Sequence, residues 1–358
     1  MGLDQGPWLM PLAISIVKFM VLFVVLLQLP PILIWLERRA PALMQRRRGP
    51  NRVGLFKWRL WGLLQTLADA IKLIFKEESV PASAHKLLFQ LAPVLGLIPA
   101  LLVMASIPLG PDLLIAGQRI SLNIVRLNIG FLFILAISSI AVYSVTLSGW
   151  ASNNKFALLG SMRASAQMIS YEISLGLSLV PMVLIYGSFD LYDIVNGQVQ
   201  LWAWGIFLAP LSFVLFLICM FAETNRAPFD LAEGESELVA GFHVEFGSTK
   251  FALFYLSEYI NMFALSLLCA IFFFGGWQIP FVSHEQLQQL LASQNLASLC
   301  GLAVLLIKAA FFMWLYIWVR WTIPRFRYDQ LMTLGWKFML PLGLVNVMVT
   351  ALVLTTRF

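Results

Sequence analysis

Residues 157–186 read ALLGSMRASAQMISYEISLGLSLVPMVLIY. A bilayer hydrocarbon core of about 30 Å takes a helix of roughly 20 apolar residues. This run is longer than that, so it reads as a membrane span that is tilted or broken. Glu172 sits in its middle. A carboxylate in hydrocarbon costs about 2.5–3.5 kcal/mol on insertion scales, so something must use it. Ser161, Ala164, Ser165, Ala166, Ser170, Ser174, Gly176 and Ser178 surround it. Such small side chains let helices pack closely and leave room for water. Two readings follow: an ion pair or hydrogen bond that holds the bundle together, or a proton relay.

Working outward, seven further runs are apolar enough to span: 11–36, 87–108, 128–148, 203–222, 250–275, 297–321 and 336–355. The 358-residue chain is 60% hydrophobic and 12% charged, with a mean hydropathy of +0.84, beyond the range of ordinary soluble domains. The expected fold is all-α: a polytopic membrane protein of about eight transmembrane helices, forming a single integral membrane domain over 1–358. The first run is too long for a signal peptide and lacks a small-residue cleavage site, so it is expected to remain as the first span. No internal repeat or low-complexity tract is visible.

The net charge of +6 follows from topology and calls for no nucleic acid. Lys and Arg from Arg38 to Lys337 concentrate in alternate connecting segments, against Lys18, Arg119, Arg126 and Arg357 on the other side. The positive-inside rule then places both termini outside and the segments 37–86 and 223–249 inside. Within the first, residues 58–75, WRLWGLLQTLADAIKLIF, repeat apolar positions at helical spacing. They predict an interfacial amphipathic helix, either a surface anchor or one lip of an opening for an apolar molecule.

The second inner segment carries an unusual charge density. Residues 221–246, FAETNRAPFDLAEGESELVAGFHVEF, hold Glu223, Asp230, Glu233, Glu235, Glu237 and Glu245, and Glu258 follows in the next span. That is more than a third of the chain's 18 acids. Asp230 and Glu233 have the spacing of a helix N-cap and its capping-box partner, which would make a solvated acidic helix. Alternatively, acids this close raise one another's pKa values and form the mouth of a proton path, with Arg226 as the nearest counter-charge.

Other chemistries find little support. His85, His243 and His284 all lie off the span centres, which disfavours a bis-His haem. Cys219, Cys269 and Cys300 lack CxxC spacing and are too few for an iron–sulfur site. No dinucleotide or P-loop pattern is present. No metal site is expected, and any electron donor must sit on another chain.

Six blocks carry a resemblance: ERRAP, QRRRGPNRVG, LLQTLADAIKLIFKE, LSGWASNNKFALLGSMRASAQMISYE, AETNRAPFDLAEGESELVAGF and PRFRYDQLMTLGWK. Long and in order across the whole chain, they resemble the subunit-1 (H-type) family of NADH:quinone oxidoreductase, respiratory complex I. The resemblance implies a membrane subunit of a proton-pumping translocase that joins the membrane arm to the redox arm and forms much of a quinone-access channel. Quinone would be the substrate, at a site shared between subunits. FMN and iron–sulfur clusters would lie on partner subunits. Partners would include the peripheral-arm iron–sulfur and quinone-site subunits, docked on the inner segments, and small neighbouring membrane-arm subunits. The location would be a bacterial cytoplasmic membrane or, alternatively, a mitochondrial inner membrane. By motif, Glu37, Arg38, Arg47, Asp69, Lys72 and Arg320 match channel-lining positions. Glu172, Glu223, Asp230, Glu233, Glu235, Glu237 and Glu258 match an acidic path toward the pumping modules. Two departures stand out: the basic and aromatic GLFKWRLWGLLQ where the family commonly has GPxGLLQ, and Phe246 where it usually has Tyr. The alternatives are the equivalent subunit of a membrane-bound hydrogenase or formate hydrogenlyase, and a stand-alone ion-coupled transporter. The latter would favour inverted repeats.

Overall fold

The computed structural model describes residues 9–54, 60–115, 118–231, 234, 239–282, 284–291 and 293–357. Its helices are α1 (Leu9–Met44), α2 (Leu64–Phe75), α3 (Lys86–Ser106), α4 (Gly130–Ala151), α5 (Lys155–Tyr186), α6 (Leu191–Asn196) and α7 (Gly205–Leu208). They continue with α8 (Pro210–Glu223), α9 (Ser248–Phe273), α10 (His284–Leu291), α11 (Gln294–Thr322), α12 (Tyr328–Thr333) and α13 (Leu340–Arg357). A π-helical stretch, Leu334–Met339, fuses α12 to α13. The small β-sheet pairs β1 (Leu113–Ile115) with β2 (Gln118–Ile120), antiparallel, Leu113 opposite Ile120. The chain is therefore an all-α polytopic membrane protein.

Among the described residues, seven helical runs are long and apolar enough to span a bilayer: α1, α3, α4, α5, α9, α11 and the fused α12–α13. The remaining expected span, 203–222, is not one helix. Its backbone breaks at Ala209, which takes φ −140°, and a new helix starts at Pro210. Proline has no N–H to give the ladder and disfavours the α region for its predecessor, and at Pro210 the helix divides where at Pro93, Pro99 and Pro181 it continues.

The buried centre is α9. Its residues Leu267 to Phe273 are almost wholly enclosed, and it packs on α3 and α11, while α4 lies on α5 and α5 on α8. The helix α5 shows why its sequence folds this way. Asn154 caps its start by accepting from the Phe156 N–H at 3.0 Å, and Gly187, at φ +66°, ends it. Most of the small-residue stripe is buried, and the hydroxyls of Ser161, Ser165, Ser174 and Ser178 bond within their own helix, Ser178 to the Leu175 carbonyl at 2.6 Å. At Gly160 the neighbouring backbone comes so near that a Cβ would lie 2.6 Å from the Gly241 Cα. This presses α5 onto the short turn Gly241–His243.

The interfacial helix is α2, running from Leu64, with the tight turn Leu60–Gly62 ahead of it. Of the unusual GLFKWRLW segment, Leu55–Arg59 fall outside the described residues. Gly62 takes φ +88°, and a Cβ there would collide with the Pro50 carbonyl at 1.8 Å. The Trp61 carbonyl accepts from Trp35 Nε1 at 3.1 Å and from Arg39 at 2.9 Å, tying α2 to the end of α1. Its other end is tied to α9: Ser248 donates to the Leu73 and Lys76 carbonyls at 2.9 and 2.8 Å.

Candidate functional site

The alternation of spans brings the end of α1, the loop after α8, the start of α9 and the end of α11 to one side of the bundle. Glu37, on α1, is buried there. Arg226 bonds its Oε1 at 3.1 Å, Arg320 its Oε2 at 2.6 Å, and the Tyr259 hydroxyl donates to Oε2 at 3.0 Å. The same Arg226 forms a close ion pair with Glu258 through Nε and lies 4.6 Å from the centre of the Tyr259 ring. Burial works against the Arg226 charge, but the carboxylates of Glu258 and Glu37 outweigh it and hold its pKa well above the usual arginine value. Each of these charges is paired with an opposite one, which offsets part of the cost of burying it, although Arg226 Nη2 has no hydrogen-bond partner among the described residues.

A cavity of about 780 Å³ opens beside this cluster, between α1, α2 and α9. Part of its wall is apolar, with Leu27, Pro30, Pro31, Ile34, Ile74 and Leu256. Toward the cluster it turns polar, with Glu37, Arg38, Arg47, Asp69 and Arg320. Five of the six residues expected in the channel thus share one cavity. The sixth, Lys72, lines an adjoining space of about 680 Å³ that shares Asp69 and Leu73 with the first. Arg38 and Asp69 pair at 2.6 Å across it, and Gln65 donates to Asp69 at 3.1 Å. This is the general form of a ligand site: an apolar concavity with few, convergent polar groups.

Two smaller cavities continue inward. One, of about 70 Å³, is lined by Glu258, Glu223, Thr224, Asn225, His243, Tyr255 and Asn261, among others. The next, of about 40 Å³, is lined by Glu223, Asn261, Ser138 and Glu172 within an apolar shell. Both exceed the 10–15 Å³ or so that one water needs. Glu223 and Asn261 border both, so Glu258, Glu223 and Glu172 follow one another along two adjoining spaces. Glu223 Oε2 is buried with no hydrogen-bond partner among the described residues. Glu172 accepts from Ser138 Oγ at 3.4 Å.

Asp230 lies off this line. It pairs with Arg325 at 2.8 Å, and burial raises its pKa despite the opposing pull of Arg325, Arg320 and Arg226. Arg226, expected as the counter-charge of the acidic turn, pairs with Glu258 of that set and also with Glu37 of α1. Glu233, Glu235 and Glu237, and with them the expected capping box, fall outside the described residues. Sequence reasoning passed over Tyr259, although a tyrosine directly after an intramembrane carboxylate is itself a signal. It also passed over Gln167, whose Nε2 donates to the Ala222 and Phe229 carbonyls at 2.8 and 3.0 Å and so fixes the loop that carries Arg226. Among the described residues no three His, Cys, Asp or Glu side chains gather as metal ligands.

The family model described as NADH dehydrogenase matches residues 17–351. An H-type subunit of the NADH-quinone oxidoreductase of Geobacter metallireducens is 49% identical, over 98% of this chain and 99% of that protein. The H-type subunit from Bdellovibrio bacteriovorus is 43% identical over 98% and 99%. One from Cytophaga hutchinsonii is 48% identical over 88% and 89%.

Proposed function

The chain belongs to the NADH dehydrogenase family, among the H-type subunits of NADH-quinone oxidoreductase, and from that premise we propose that its large cavity is the path of quinone from the bilayer to the redox chemistry. The observation that carries this reading is the polarity of the 780 Å³ cavity. Its apolar side suits an isoprenoid tail, and its arginines and acids suit a polar headgroup. Reduction of quinone to quinol takes two electrons and two protons. The electrons come from FMN and iron–sulfur clusters on partner subunits docked over 37–86 and 223–249, and the chain is catalytic only within that assembly. The assembly sits in a bacterial cytoplasmic membrane, in keeping with its bacterial relatives.

The cluster Glu37–Arg226–Glu258 stands between the cavity and the buried acids. A charge change at the headgroup shifts the energy of every ionised group close by, and in a low-dielectric surrounding the shift carries far. Glu258, Glu223 and Glu172 then pass it toward the membrane centre, with Asp230, Glu233, Glu235 and Glu237 as the acidic approach on the inner side.

Ala70 and Ala252 line the cavity, which gives a direct test. Ala70→Trp would fill the passage without touching a charge. In the assembled complex, turnover with a long-tailed quinone should fall about tenfold or more, the equivalent of ~1.4 kcal/mol, while ferricyanide reduction by the redox arm stays normal. Unchanged quinone turnover at matched assembly would remove the cavity from the quinone path.

A further inference from the structure

The direct line from the large cavity to the buried acids runs through Arg226, and a guanidinium does not give up its proton in proteins. Glu37 accepts from Arg226, Arg320 and Tyr259 together, so loading a proton on it would break those contacts. The cluster is built to hold charge in place.

Beside it lies a second connection. Tyr255, on α9, lines both the 780 Å³ cavity and the 70 Å³ cavity, so its ring is part of the wall between them. His243 lines the smaller one, its ring centre 6.4 Å from that of Tyr255 and nearly edge-on. Phe251 and Phe242 pack against His243 at 5.4 and 4.9 Å and confine the imidazole. Burial lowers the His243 pKa to about 4. At neutral pH its ring is uncharged, with one nitrogen donating and the other accepting, which lets it pass a proton without storing charge. Beyond it, the small cavity has room for water on the way to Glu258 and Glu223.

We propose that Tyr255 and His243 form the proton route across this wall, and that the Glu37–Arg226–Glu258 cluster transmits charge alone. The proposal rests on the large cavity being the quinone path. For each proton drawn into the cavity, the Tyr255 O–H bond breaks toward the cavity side and its oxygen takes a proton from the imidazole. The imidazole takes one from water, and the water is made good from the carboxyl of Glu223, which lines the same small cavity. Tyrosine ends protonated and histidine ends neutral in its other tautomer, which a turn of the ring resets, and Glu223 is left ionised. The two electrons reach the quinone from the partner redox chain.

The test uses the whole complex in vesicles, with NADH and a long-tailed quinone, at matched ferricyanide activity. Tyr255→Phe keeps the ring and removes only the hydroxyl. It should lower kcat by on the order of 10- to 100-fold with KM for quinone unchanged. His243→Ala should lower kcat alike, and added imidazole should restore a large part of it, which a packing defect would not allow. Wild-type kcat in either variant, a rise in KM in place of a fall in kcat, or no recovery with imidazole overturns the route. If Ala70→Trp blocks turnover while Tyr255→Phe does not, the quinone path stands and only the proton route falls. If Ala70→Trp is also without effect, the fault lies in the cavity assignment itself.

Discussion

Replacing Glu37 with Gln takes one charge from a site where water cannot substitute for it. The side chains of Arg226 and Glu37 are only 7% and 10% exposed, and they meet at 3.1 Å. Two unit charges about 4 Å apart interact by ~4 kcal/mol at an effective dielectric of 20. Removing one partner of a buried pair costs about 3–5 kcal/mol. The Gln amide oxygen still serves Tyr259 and Arg320, so Glu37→Gln should fall near the lower bound, about 3 kcal/mol. Arg226→Gln strands both Glu37 and Glu258 and should fall near the upper. The double variant removes a charge of each sign and should recover on the order of 2–3 kcal/mol of the summed loss. The readout is the rate at which the detergent-solubilised complex loses activity at a fixed, elevated temperature. For such assemblies the rate is the meaningful measure of stability. A barrier lowered by about 3 kcal/mol speeds inactivation roughly 150-fold. Singles within about threefold of wild type, or rate factors that simply multiply in the double, would show that the cluster is solvated and uncoupled.

Glu172→Gln should leave the complex assembled but lower quinone turnover and proton pumping together in reconstituted vesicles; normal coupling there would return Glu172 to a packing role. Arg47→Ala, at the polar side of the cavity, should reduce long-tailed quinone turnover more than ferricyanide reduction, whereas equal loss would point to failed assembly. Lys308 donates to the Phe274, Gly276 and Gln278 carbonyls at 2.7, 2.8 and 2.7 Å, so Lys308→Met strands three acceptors at the end of α9. It should cost on the order of 3 kcal/mol, seen as faster thermal inactivation with an unchanged quinone KM. His243, with its pKa lowered to about 4 against about 6.5 when unfolded, binds fewer protons folded than unfolded between those values. Its share of the stability is therefore whole above about pH 6.5 and declines as pH falls toward 4, by at most about 3 kcal/mol. Inactivation rates of wild type and His243→Gln at pH 7 and pH 5 should show a smaller acid sensitivity in the variant.

Long apolar runs are legible because their signal is additive over some twenty residues. Seven of the eight expected runs correspond to long helices, and the eighth, 203–222, divides at Ala209 into α7 and the shorter apolar α8. The residues expected in the channel stand out as motifs, but their convergence does not: Glu37 and Arg320 lie 283 positions apart, and only the packing of α1 and α11 around α9 joins them. Pairings among buried charges are the least legible of all. Nothing local tells Arg226 to choose Glu37 and Glu258 over Asp230, because that choice depends on which groups the fold denies to water. Tyr255 and Asn261 look like ordinary core residues until the cavities on either side are seen.

The length of α1 has a consequence for how substrate affinity should be measured. Its 36 residues rise about 54 Å, well beyond the ~30 Å of hydrocarbon, and Glu37 falls near the end of that rise. On the quinone path proposed above, the cavity beside α1 would therefore lift the quinone out of the lipid. Each methylene that leaves the bilayer for water would lose about 0.8 kcal/mol, but one that leaves it for an apolar wall loses almost nothing. For a homologous series of quinones, KM counted per volume of lipid should therefore stay level as the tail lengthens within the cavity. Counted per volume of water, the same KM should fall about fourfold with every added methylene. The apparent taste for long tails would then belong to the membrane's partitioning, with the protein indifferent to length until the tail outgrows its walls.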